Sequence, residues 1–150
     1  MTMNISFQEK SIWVALVVTI LIFGSYFTFA FSAFYEGISD PNADYTKLSA
    51  LIPLFIGAIV LISVILGFLH IFLAPAFNKA TQIGEDERDK LIALKATRIS
   101  YIILVFGIWV TGVNMLWLPP LVMLNILAFF FFLAEIVGWS KQLFYYRRGV

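Results

Sequence analysis

Glu135 is the only formal charge among the 42 residues that separate Arg98 from Lys141. A carboxylate in so apolar a stretch costs several kcal/mol unless it is paired, protonated or snorkelling. Three more groups qualify as its neighbours. His70 interrupts an otherwise uncharged run of 31 residues between Lys47 and Lys79, and Arg98 and Tyr101 open the run that holds Glu135. At about 1.5 Å of helix per residue, Glu135 and His70 each lie roughly 8–9 Å from the inner ends of their spans. Glu135, Arg98, His70 and Tyr101 therefore form a candidate polar cluster at one depth. In a structural role Glu135 pairs with Arg98, Lys95 or His70 and pins helices together. In a functional role it is a proton or cation site. Asn114 and Asn125 extend the choice, as interhelical hydrogen bonds or as a pore lining.

A second constellation runs from Gly84 to Ala96: Glu85, Asp86, Glu87, Arg88, Asp89, Lys90 and then Lys95, with Leu91, Ile92 and Leu94 between them. Acids leading a helix complement its N-terminal dipole. Asp86 stands four residues before Lys90 and Glu85 three before Arg88, spacings that pair on a helix. The run reads either as a solvated extension that anchors the following span or as a docking surface for a cytosolic protein or a neighbouring subunit. The string Asp86-Glu87-Arg88-Asp89, followed by Ile92, Lys95-Ala96 and Ser100, resembles the signature of a family of small predicted prokaryotic membrane proteins of unknown function. The resemblance covers mainly residues 84–118. It implies a multi-pass protein of the cytoplasmic membrane and brings no reaction with it.

Other chemistry is not encoded. There is no cysteine and a single histidine, so thiolate chemistry, iron–sulfur clusters and bis-histidine haem ligation within one chain are excluded. Zincin, nucleophile-elbow and phosphate-loop motifs do not occur. Asp40, Asn42 and Asp44 have the spacing that opens a calcium loop, but Tyr45 stands where the loop needs glycine and Leu51 where it needs glutamate. The expectation is a non-enzymatic chain without metal or cofactor. A net charge of +1 gives no pull toward nucleic acid.

The elements that carry these residues follow from charge and hydropathy. The 150 residues are 61% hydrophobic and 13% charged, with a mean hydropathy of +0.94. Roughly a quarter of a soluble domain is charged, so water cannot cover this surface. Lipid can. Residues 11–35 carry no charge and make one span; the run is too long for the apolar core of a signal peptide and reads as an uncleaved anchor. A capping box at Ser6-Phe7-Gln8-Glu9 starts its helix. The run from Arg98 to Lys141 would be roughly 60 Å as one helix, twice the hydrocarbon thickness, so it folds back at Pro119-Pro120. Spans are expected at 11–35, 49–74, 98–118 and 120–141. This is an all-α, four-span transmembrane helical bundle, its third span extended by a charged cytoplasmic helix.

Nine of the ten Lys and Arg residues fall on the side that holds both termini and only Lys47 on the other. By the positive-inside rule the termini are cytoplasmic, and the resemblance implies that the membrane is the cytoplasmic (inner) one. Trp13, Tyr101, Trp139, Tyr145 and Tyr146 then form the inner aromatic belt, and Tyr35, Tyr45 and Trp117 the outer. Small residues recur at four-residue spacing in Gly24–Thr28–Ser32, Ser63–Gly67, Gly107–Thr111 and Ala134–Gly138, more seams than one bundle needs. Self-association through a surplus seam is expected. The chain reads as a regulatory, sensory or accessory/immunity-type membrane protein that acts through association, with a small homo-oligomeric channel or transporter built on Glu135 as the alternative.

Overall fold

The computed structural model describes residues 7–39, 49–68, 71 and 87–148. They form helices α1 (Phe7–Ser39), α2 (Leu51–Phe68), α3 (Glu87–Val113) and α4 (Pro120–Arg148), with no strand among them. All four helices are long and apolar enough to cross a membrane. At about 1.5 Å per residue α3 and α4 measure roughly 40 and 43 Å, some 10 Å more than a hydrocarbon core. The charged residues of both, Arg88 to Arg98 and Lys141 to Arg148, lie at one end of the pair.

Prolines set the boundaries. Pro53 occupies the first turn of α2, where its missing N–H removes no helical bond. Ahead of Pro119 the α-helix of α3 gives way to a 3-10 turn at Asn114–Leu116. The Asn114 carbonyl accepts the N–H groups of Trp117 and Leu118, each at 3.1 Å, and closes that turn. The expected third span, drawn to residue 118, thus ends its α-helix five residues early. Steric conflict with a following proline is the reason. Pro120 opens α4, where a fixed φ suits the first helical position, and the Pro119 carbonyl accepts from Val122 and Met123. At its other end α4 continues seven residues past the expected limit of 141, because nothing from Gln142 to Arg148 breaks a helix.

Three apolar layers run along the bundle. Tyr26 and Ala30 of α1 meet Leu51 of α2 and Val122 of α4 near the Pro119–Pro120 end. Phe23, Ala58, Ala128 and Phe132 form the middle layer, with the Phe23 and Phe132 rings stacked. Ile12 and Leu16 pack on Leu143 at the opposite end. The helices are thus ordered α2, α1, α4, α3, with α1 and α4 central. Both flanking helices turn large apolar side chains outward, among them Leu54, Leu61 and Val64 on α2 and Ile102, Phe106 and Trp109 on α3.

α3 joins α4 through small residues rather than through those layers. Gly107 lies so close to Phe130 that a Cβ there would overlap the Phe130 side chain, and a Cβ at Gly138 would strike Ser100 Oγ. Ser100 Oγ donates to the Ala134 carbonyl at 2.9 Å. Gly107–Thr111 and Ala134–Gly138 are therefore two sides of one intramolecular seam. Gly24 and Gly67 have nothing within 4 Å of the position a Cβ would take, so those stripes face outward.

Candidate functional site

The seam fixes the register of α3 against α4, and with it the fate of the expected polar cluster. Ser100 lies opposite Ala134 and Gly138, so Tyr101 is level with Glu135, and Arg98 sits about 4–5 Å nearer the charged end. Depth is not the obstacle. Direction is. Ala96, Ser100 and Gly107 point α3 at α4, and Arg98 lies about 160° around the helix from Ala96 and Ser100. Arg98 is exposed and Tyr101 is 65% exposed. Glu135 is half-buried on α4 and takes part in no hydrogen bond or ion pair among the described residues. The structure does not join Glu135 to Arg98, Lys95 or Tyr101, and His70 lies outside the described residues.

A buried polar link exists elsewhere. Tyr26 Oη donates to Asn125 Oδ1 at 2.6 Å, and Asn125 Nδ2 donates to the Leu121 carbonyl at 2.9 Å. Asn125 thus ties α4 to α1, whereas Asn114 Nδ2 turns back to Val110 of its own helix. Tyr26 was not among the sequence candidates. Its signal was there: a phenol in mid-run, well inside the aromatic belts, needs a polar partner.

The charged end is the most elaborate polar region. Ile92 and Ala96, 1% and 0% exposed, seat the start of α3 against the rest of the chain. Tyr146 Oη donates to Asp89 Oδ1 at 2.9 Å, linking α4 to α3. Arg147 Nε reaches Glu9 Oε1 at 3.5 Å and its guanidinium stands 5.6 Å from the Trp13 ring, linking α4 to α1. Lys95 Nζ lies 6.0 Å from the Tyr145 ring. Of the expected docking residues, Asp89 is therefore committed to α4 and Lys95 borders an α4 ring. Glu87, Arg88 and Lys90 are exposed and make no hydrogen bond or ion pair among the described residues, and Leu91 and Leu94 beside them are 56% and 68% exposed. Glu85 and Asp86 lie outside the described residues, as does the Asp40–Asp44 loop.

No family model, curated protein or solved structure matches this chain. Its chemistry is thus argued from its own side chains. Among the described residues no group of three or more His, Asp or Glu is placed to hold a metal ion. A groove of about 710 Å³ opens between α1 and α2, bordered by Leu21, Phe29, Leu54 and Leu61 with Ser25 and Gly57. Its lining is mostly apolar, and its two hydroxyls are engaged, Ser25 Oγ donating to the Leu21 carbonyl and Tyr26 Oη to Asn125 Oδ1. What the arrangement offers instead is a braced, charged surface at one end of an apolar bundle.

Proposed function

We propose that the chain is a non-enzymatic, multi-pass protein of the cytoplasmic (inner) membrane, with both termini inside, that works by association as a regulatory, sensory or accessory/immunity-type subunit. One observation carries this reading. The start of α3 is braced by Asp89–Tyr146 and by buried Ile92 and Ala96, yet its outward residues Glu87, Arg88, Lys90, Leu91 and Leu94 have no use among the described residues. A rigid helix with mixed charge and exposed leucines is a surface for a cytosolic protein or a second copy. The Lys/Arg asymmetry supports the orientation, and the resemblance of the Asp86–Ser100 run points to the same membrane.

The test reverses Arg88 and Lys90 to glutamate together. Lys79, Lys95 and Arg98 still mark that side as inner, so reporters fused at residue 150 and within 79–97 should read cytoplasm and those within 37–46 the outside. Site-specific cross-links from Leu91 to a partner or second copy should disappear in the reversed variant while those reporters stay unchanged. If cross-linking and every phenotype persist, the helix is only a solvated face. An external reporter signal from 79–97 would overturn the topology itself. The outward stripes Gly24–Thr28–Ser32 and Ser63–Gly67 support self-association. A monomer at every protein-to-lipid ratio would remove that part and leave the cytosolic partner.

A small homo-oligomeric channel or transporter is the second reading, favoured by Glu135 alone. A half-buried carboxylate with no polar partner among the described residues is suited to take a proton or cation. Ion flux lost in Glu135→Gln at unchanged stability would put this reading first.

A further inference from the structure

Three cations gather on two rings where α3 and α4 leave the apolar zone. Lys141, Phe144, Tyr145 and Arg148 are spaced i, i+3, i+4 and i+7 and share one face of α4. Lys141 Nζ stands 5.3 Å and Arg148 Cζ 4.5 Å from the Phe144 ring centroid. The Tyr145 ring is 6.0 Å from that of Phe144, and Lys95 Nζ of α3 is 6.0 Å from Tyr145. Among the described residues none of the three cations has a carboxylate or a hydrogen-bond acceptor, although Glu9 and Asp89 stand at the same end and are taken up by Arg147 and Tyr146. Ring faces attract cations but do not neutralise them. Positive charge is thus concentrated, positioned by aromatic side chains and, among the described residues, left without a counter-ion.

We infer that this patch binds the phosphate of an anionic phospholipid. The inference rests on the reading that the four helices cross a membrane. Lys141 closes the apolar stretch of α4, in which Glu135 is the one formal charge, so the patch lies at the level where lipid phosphates lie, with the apolar surface of α3 and α4 directly beneath it for the acyl chains. Arginine supplies a planar pair of donors suited to phosphate, and the two lysines add compact charges. A zwitterionic headgroup would bring its own cation into the cluster and gain less.

The test is native mass spectrometry of the full chain in detergent, titrated with phosphatidylglycerol, phosphatidylcholine or inorganic phosphate. Phosphatidylglycerol should bind at least about tenfold tighter than phosphatidylcholine, and inorganic phosphate should not compete with it. Each basic residue near a lipid surface multiplies affinity by about five, so Lys95→Gln, Lys141→Gln and Arg148→Gln together should weaken phosphatidylglycerol by about a hundredfold. Lys10→Gln, Arg88→Gln and Lys90→Gln remove equal charge from the same end and should change it less than about threefold. Lys95→Arg with Lys141→Arg should retain binding. Equal loss in the two triple variants, equal affinity for the two lipids, or competition by inorganic phosphate would each overturn the site. Liposome flotation separates this outcome from the membrane reading, since only failure of the chain to float refutes that.

Discussion

Replacing Gly107 by alanine adds one methyl group where α3 and α4 approach most closely. The new Cβ overlaps Cβ and Cγ of Phe130, and the Phe130 Cβ is fixed to a helix backbone so that no rotamer change carries it away. Forcing an extra carbon into a packed contact costs about 1–3 kcal/mol. Alanine is also the better helix former by about 1 kcal/mol, which hides part of the cost. Gly112 in the same helix and Gly24 in α1 have nothing within 4 Å of the new methyl, so alanine there carries the propensity gain alone. The difference between Gly107→Ala and these two variants removes the propensity term and leaves about 1–3 kcal/mol, a five- to 150-fold change in the folding equilibrium. Reversible unfolding of each variant in mixed micelles, followed by tryptophan fluorescence, measures it. Gly138→Ala falls between, because Ser100 Oγ can swing aside but gives up its bond to Ala134, worth about 1 kcal/mol. Gly107→Ala as stable as Gly112→Ala would refute the close seam and the register drawn from it.

Tyr26→Phe removes the only α1 donor to Asn125 Oδ1 and should cost about 0.6–2 kcal/mol, with Asn125→Ala adding little in the same chain; a double-mutant cycle reads the coupling. Tyr146→Phe should cost about 1 kcal/mol and speed hydrogen exchange in residues 87–92, since it frees Asp89 from α4; unchanged protection there would show that the brace is not this bond. Glu135→Gln separates sequence from structure. A buried pair with Arg98 implies a loss of about 3–5 kcal/mol, whereas the unpartnered carboxylate implies equal or greater stability in the variant. A large loss would restore the pair.

How far the sequence carries depends on which residues are asked. Runs without charge locate the four spans, and two adjacent prolines locate the turn, because both effects act locally. Asn125 was legible as an interhelical bond, since an amide in an apolar helix needs a partner. Which helices touch was not legible. In a span that is apolar on every side, the faces toward lipid and toward protein carry the same residue types, so periodicity does not distinguish them. Gly24–Thr28 and Gly107–Thr111 read identically, yet only the second is covered, because only it faces a bulky side chain on an adjoining helix. Arg98 and Glu135 fall near one depth but on different sides of their helices, because residue counting gives height along an axis but not direction around it. Lys141 and Arg148 and the rings of Phe144 and Tyr145 were present as a one-face spacing, which a count of Lys and Arg on each side does not register.

The central position of α4 has a bearing on how the molecule comes into being. Ribosomes deliver α1, α2 and α3 first, and each of the three apolar layers, the Asn125 bond and the glycine seam needs a residue of α4. Until that helix emerges, α1 and α2 can meet each other while α3 has none of its described contacts with α4. The two prolines then fold the last helix back beside α3, and its inward face reaches α1 in the same step. Assembly is therefore keyed to α4: the helices made before it are waiting parts that only its arrival draws together.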